Sequence, residues 1–442
     1  MSSHGYSYVA GKAAPSSPGP HESDEDGSPT FQQFAKQART YSLRCLGCCC
    51  VLLVTLLIIV VFAGWNLVSM STNKILEQDP TWTPVMFPRY SSCGGCRGGN
   101  KTDEELQQCI KPCYNLTFLQ SWESFNKKHG FKLVYFPSRK GPNGEPPVNI
   151  SAWWLPAASR PGDSSPRIVA LHGLASNNNH CGVQSTCFLL REMGFSCLAP
   201  SVRDFGLSGA SSHPDILTWG YDYHLDLLGA WDYAIHDPDG IMGGKISEDQ
   251  VGVMGFSKGA YAAAIAMAIE PRVSAAWLDS GPFHGLRGSI ISTIEMYVGS
   301  FLASILGPPV FWSAQYFSGY KVDRFDPIKL LSQQCPKLRQ VMVSQSSIDN
   351  VVPISETEYA VMVLSGMPDC YQVVSYTPPE YCNGEQHHQE MWEFPDDTRL
   401  ELCEFWSRSF QREKSFCQMQ AQPDFQMWSA MENLPPGSPT PV

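Results

Sequence analysis

The stretch that most constrains this chain's fold is 251–268, Val-Gly-Val-Met-Gly-Phe-Ser-Lys-Gly-Ala-Tyr followed by an alanine-rich run. An apolar segment of one strand's length meets Gly255-Phe256-Ser257-Lys258-Gly259, and helix-forming residues follow at once. A strand turns into a helix this abruptly only where side chains are missing from the points of closest backbone approach. Gly255 and Gly259 are therefore read as clearance positions. Ala260, Ala262, Ala263 and Ala264 let the helix pack closely on a sheet. The spacing G-x-S-x-G is that of a sharp turn with a serine at its tip. As a bare pattern it arises by chance about 0.1–0.2 times in a chain this long. Its weight comes from the strand before it and the helix after it; the plainer reading is an ordinary strand-to-helix turn.

From residue 131 the chain alternates strands with helices. Residues 131–136 and 149–155 read as paired strands across a Gly/Pro turn at 140–147. Strands follow at 167–171, 195–199, 251–256, 273–278, 340–344 and 371–376, with helices expected near 184–193, 223–235 and 397–414. Such alternation predicts a mostly parallel sheet with helices on both faces. Between two of the strands lies an insertion, 283–329. It is apolar with helical spacing at 290–305 and aromatic at 311–317. It reads either as a lid or pocket wall, or as a plain core helix; an apolar lid would suit acyl or lipid substrates and would sit near the membrane.

The N-terminal side sets the compartment. Residues 1–45 are rich in Ser, Pro, Gly and charge, too poor in apolar residues to fold, and are expected to be a disordered cytosolic tail. The charge-free apolar run 46–68 is long enough to cross a hydrocarbon core of about 30 Å. It begins too far from the N-terminus for a cleaved signal. Lys36, Arg39 and Arg44 precede it, and only Lys74 follows closely, so the positive-inside rule makes this a single-pass type II anchor. The rest of the chain is then luminal or extracellular. Three glycosylation sequons, at Asn100, Asn115 and Asn149, all fall on that side, as do twelve of the sixteen cysteines. The other four, Cys45, Cys48, Cys49 and Cys50, are read either as S-acylation sites or as small apolar residues of a helix end. Residues 69–130 form a membrane-proximal segment. Its Cys93, Cys96, Cys109 and Cys113 have a spacing that zinc could use, but two disulfides suit an oxidising compartment better. Residues 418–442 are expected to be a flexible tail. The net charge of −11 argues against nucleic acid as a partner.

A serine hydroxyl becomes a nucleophile only with a base beside it and a group that orients the base. The chain supplies these in the order Ser257, Asp349, then His387 or His388, the two later groups just beyond strands. His387, with Gly384 three residues before it, is preferred over His388. Asp279, ending the strand after the serine turn, is the reserve acid. Asp204 is read as support for a turn, His172 as a shaper of its loop, and His180 and His224 as loop or surface residues.

Over 131–417 the chain resembles an α/β-hydrolase of the serine aminopeptidase-like and acyl-esterase-like branch. The resemblance is carried by His172-Gly173, Arg203-Asp-Phe-Gly-Leu-Ser-Gly209, Gly255-x-Ser257-x-Gly259, Leu278-Asp-Ser280, Phe325-Asp-Pro-Ile-Lys-Leu-Leu331, Asp349-Asn-Val-Val-Pro353 and Gly384-x-x-His387. It implies an α/β-hydrolase fold behind one transmembrane helix and a triad of Ser257, His387 and Asp349. It also implies an oxyanion hole from the backbone N–H groups of Leu174 and Lys258. Carboxylic ester, lipid or peptide substrates would be cleaved with no metal and no cofactor. Two residues depart from the pattern: Lys258, read as a surface lysine or as a reader of an anionic substrate group, and Ser346, where Gly is common. The alternative from another class is a non-catalytic binding protein on the same fold.

Overall fold

The computed structural model describes residues 31–69, 131–141, 144–157, 165–174, 176–178, 181–349, 351–378, 387, 395–412 and 417. The chain divides between Ile58 and Ile59 into two compact units. In the first, the described residues are wholly helical. They belong to α1, Phe31–Val68, which starts inside the segment expected to be disordered. The apolar run is a strong helix nucleus, and the Gln-, Ala- and Lys-containing residues before it offer no breaker to stop propagation. Arg39–Val68 is long and apolar enough to cross a membrane, by length and composition. Its Leu52, Leu53, Ile58 and Phe62 side chains are exposed.

The second unit is built on one eight-stranded sheet: β1 (Lys132–Pro137), β2 (Asn149–Leu155), β3 (Arg167–Leu171), β4 (Ser196–Pro200), β5 (Val251–Phe256), β6 (Ala275–Asp279), β7 (Arg339–Ser344) and β8 (Tyr371–Tyr376). In space the order is β1-β2-β4-β3-β5-β6-β7-β8. The β1–β2 and β2–β4 pairs are antiparallel and every other pair is parallel. Every residue of β3, β4, β5 and β6 is buried, as expected for strands covered on both faces. This is the α/β-hydrolase fold.

One face of the sheet carries α3 (Tyr223–His236) and α4 (Lys258–Ile269), whose apolar residues form one core with Val169, Val253 and Leu278. The other face carries α2 (Cys181–Glu192) and α9 (Pro395–Ser409), whose residues Phe188, Phe405 and Trp406 pack with Met254 and Trp277. Helix α4, whose one charged residue is Lys258, is buried from Lys258 to Ala268. Between β6 and β7 lie α5 (Leu286–Val298), α6 (Ser300–Ser318) and α7 (Pro327–Ser332). The continuous helical spacing expected over 290–305 is broken at Gly299, where φ is 79°. That angle suits glycine and cannot continue a right-handed helix. After β7 comes α8, Ile354–Ser365.

Disulfides join Cys187 to Cys197, Cys335 to Cys370 and Cys403 to Cys417. They accord with an oxidising compartment. The four cysteines at 93–113, the sequons at Asn100 and Asn115, His180 and His388 lie outside the described residues. Asn149 is exposed at the first position of β2, where a glycan could be carried. Cys48, Cys49 and Cys50 are exposed, free thiols.

Candidate active site

The turn after β5 is tight. Ser257 has φ 53° and ψ −115°, a region that costs a non-glycine residue about 1–3 kcal/mol. Its N–H donates to the Asp279 carbonyl at 2.7 Å. Its own carbonyl accepts from the N–H groups of Ala260 at 3.0 Å and Tyr261 at 3.2 Å. The glycines provide the expected clearance: a Cβ on Gly255 would stand 2.1 Å from the Gly259 oxygen, and one on Gly259 would stand 2.4 Å from the Leu171 oxygen. Because α4 begins at Lys258, the Lys258 N–H is among the first four of a helix and has no intrahelical acceptor. A Cβ on Gly173 would stand 3.3 Å from Ser257 Cβ, so the loop after β3 lies against the serine. The backbone amides of Leu174 and Lys258 thus belong to the two segments that flank Ser257.

His172 is buried and fixes that loop. Its Nε2 accepts from the Val202 N–H at 3.2 Å, which leaves Nδ1 to donate to the Gly173 carbonyl at 2.7 Å. With both ring nitrogens so engaged it shapes its loop, as expected from its place before the serine. Asp204 supports a turn: it sits at φ 68° and its Oδ1 accepts from the Ser211 N–H at 2.6 Å.

Beyond β7, the Asp349 carboxylate is surrounded by donors. Oδ1 accepts from the N–H groups of Val351 at 2.8 Å and Val352 at 2.9 Å. Oδ2 accepts from Gln345 Nε2 at 3.2 Å and from His387 Nδ1 at 2.8 Å. The Asp349 side chain is fully buried and that of His387 is 13% exposed. A carboxylate only accepts, so Nδ1 carries the proton and Nε2 is the basic nitrogen. Asp279 Oδ1 accepts from the Ser280 hydroxyl at 2.8 Å. Ser346 shapes the acid loop, its carbonyl accepting from the Asp349 N–H at 3.2 Å and its hydroxyl from the Ile348 N–H at 3.3 Å. Gln345, which sequence reasoning missed, also donates to the Val352 carbonyl at 2.6 Å, closing the loop around the acid. The signal that could have found it is its position: a lone amide directly after the last residue of a buried strand, four residues before the acid.

Two residues expected at the surface are buried. Lys258 is 2% exposed. Its Nζ has no hydrogen-bond partner among the described residues and lies over the rings of Tyr261 at 5.3 Å and Trp219 at 5.6 Å. Burial pushes the lysine down to about 7, against a weaker pull upward from Glu356. The physical reason is tertiary: the loop ahead of α3 folds over the start of α4, and Gly220 leaves room for the lysine stem. His224 is buried in the first turn of α3, edge-on to Phe325, and is pushed down to about 3 by burial and then by the charge of Arg203.

No family model matches this chain, and no curated protein sequence matches it. Solved structures of similar shape include the esterase Pf2001 of Pyrococcus furiosus, at 18% identity over 63% of this chain and 92% of that one, with a TM-score of 0.45. The α/β hydrolase GrgF from Penicillium sp. sh18 is 16% identical over 64% of this chain and 99% of its own, with a TM-score of 0.45. The acylaminoacyl peptidase of Pyrococcus horikoshii is 15% identical over 65% of this chain and 43% of its own, with a TM-score of 0.44. Strand order and direction alone define the fold.

Proposed function

We propose that the chain is a membrane-anchored serine hydrolase that cleaves carboxylic esters. The observation that carries this reading is the hydrogen bond from His387 to a fully satisfied Asp349, on the same sheet whose β5 turn strains Ser257. In the proposed reaction Ser257 Oγ attacks the ester carbonyl while His387 Nε2 takes its proton. The backbone N–H groups of Leu174 and Lys258 hold the developing oxyanion. The tetrahedral intermediate expels the alcohol, which leaves with the proton from His387. Water then attacks the acyl-enzyme by the same route, releasing the carboxylic acid and restoring the Ser257 hydroxyl. Asp349 holds the imidazole in the required tautomer and stabilises it when charged. No metal or organic cofactor takes part. Residues 46–68 anchor the chain in the membrane with the catalytic domain luminal or extracellular, and residues 283–329 form a lid over the site. Of the two bond types such a triad cleaves, a peptide or amide is the second reading.

A fluorophosphonate probe on the full chain, beside Ser257→Ala, tests the reading. Labelling of the wild type and none of the variant is expected. A folded wild type that takes no label would overturn catalysis and leave a binding protein on this fold.

A further inference from the structure

Helix α6 contains no charged residue. Its face includes Phe301, Ile305, Trp312 and Tyr316, of which Phe301 is 77% and Tyr316 82% exposed. At about 100° per residue these four positions fall within an arc of about 60°, a single stripe along the helix. Large apolar side chains in one exposed row cost free energy in water and mark a surface that something covers.

The helix is fastened beside the end of α1, within the same compact unit that begins at Ile59. The rings of Trp65 and Phe317 meet edge-on with centroids 5.3 Å apart. At Gly64 a Cβ would stand 2.4 Å from Ser313 Cβ, so the two helices cross where α1 has no side chain. The last turn of α1 is also tied to the loop ahead of α3: the Leu217 N–H donates to the Val68 carbonyl at 2.9 Å, and the Trp219 indole N–H to the Leu67 carbonyl at 3.1 Å. A span of about 20 residues crosses a hydrocarbon core. Counted from residue 46, it emerges near Trp65. The turn of α6 that carries Ser313 and Phe317 is therefore held at the depth where the anchor leaves the hydrocarbon. Trp and Tyr are the residues favoured at that depth.

We propose that α6 lies in the membrane interface next to the anchor, its Phe301–Tyr316 stripe seated among lipid, and that the site takes its ester from that bilayer. The occupant is a lipid surface because the stripe is apolar, bears no charge to specify a protein partner, and belongs to a helix packed on the end of α1 at Gly64 and Trp65. The path from bilayer to nucleophile is short. Trp219 touches the end of α1 through its indole N–H and covers the Lys258 ammonium with its ring, and Lys258 follows Ser257. A long-chain acyl ester leaving the bilayer between α1 and α6 meets these residues before it meets open water. The inference rests on the anchored-hydrolase reading and narrows its substrate class to long-chain acyl esters of bilayer lipids.

The test uses the full chain in phosphatidylcholine nanodiscs, with a photo-crosslinking phenylalanine analogue placed at 301, 312 or 316, and at Met362 on α8 as an exposed control. Phosphatidylcholine adducts at the first three positions and none at 362 are expected. Adducts to a second copy of the chain, or no lipid adducts, would overturn the surface. In parallel, the combined variant Phe301→Ser, Trp312→Ser, Tyr316→Ser is compared with wild type. The ratio of turnover on a bilayer-embedded long-chain ester to turnover on a soluble short-chain ester should fall about tenfold; an unchanged ratio would overturn bilayer delivery. Fluorophosphonate labelling and carbonate extraction are read on the same samples. Missing label removes the hydrolase reading and extraction by carbonate removes the anchor, while the lipid adducts still decide where α6 lies.

Discussion

Ser257 and Asp349 both stand just past the ends of parallel strands, yet they are held by opposite means. The turn after β5 is held by exclusion. Gly255 and Gly259 bring backbone within a distance that no Cβ tolerates, and the strained Ser257 sits between them. The loop after β7 is held by pairing. Four donors meet one carboxylate, three of them from the loop itself and the fourth from His387. Lys258, next to the serine, shows how differently a buried charge fares with no hydrogen-bond partner among the described residues: burial pushes its pKa down to about 7 against a weaker pull from Glu356, and the rings of Trp219 and Tyr261 face its ammonium. A site can thus be rigid through sterics at one end and through hydrogen bonds at the other, and the two ends should fail differently.

The largest effect should come from the paired end, read as activity. Asp349→Asn keeps the shape but offers His387 the wrong tautomer, and kcat should fall about 10³- to 10⁴-fold. Asp279→Asn should lower it less than tenfold; the reverse ranking in ester turnover would assign the acid to β6. At the excluded end the loss should be one of stability. Gly255→Ala places a methyl against backbone and should cost about 3 kcal/mol or more, lowering the melting temperature by about 6–12 °C. A melt unchanged within error would show that the turn relaxes freely.

Lys258 sharpens the contrast through pH. Its pKa is about 7 in the folded chain and ordinarily 10.5. Between these values the unfolded chain binds more protons, so this group makes stability rise with pH across that window, and its penalty is complete below 7. Lys258→Met should therefore gain on the order of 2 kcal/mol over wild type at pH 6, and the gain should shrink towards pH 10. Denaturant melts at the two pH values decide this; a gain independent of pH would mean that the lysine is not charged against its burial. Among the residues that hold the acid, the smaller effect is expected for Gln345→Ala. It removes one of the four donors to the acid and should lower kcat about tenfold, about 1.4 kcal/mol, with KM little changed. A loss equal to that of Asp349→Asn would mean that the loop collapses without the amide.

What could be read from the sequence is what is local. Strand periodicity and the glycine spacing around Ser257 depend on residues a few positions apart, and the eight strands lie within two residues of their expected bounds. Asp349 and His387 could be singled out because each lies beyond a strand in the sequence, and the hydrogen bond between them is what the fold adds. What was missed depends on distant segments. Lys258 looks like a solvated helix start until the loop carrying Trp219 and Gly220 is folded over it. His224 looks like a surface histidine until Phe325 packs on it. The break at Gly299 was hidden because apolar spacing continues across it, and the helical start at Phe31 because tail composition does not show that a neighbouring apolar helix will propagate backwards.

The bond between Cys335 and Cys370 encloses β7, Asp349 and α8 in one covalent ring. A protease that cuts the exposed loop near Val351 would therefore sever the chain without releasing a fragment. On a non-reducing gel the nicked protein would run as intact, and only a reductant would part it into two pieces, with Asp349 on one and His387 on the other. In a compartment shared with proteases, that ring makes a cut beside the acid a lesion the molecule can carry without coming apart.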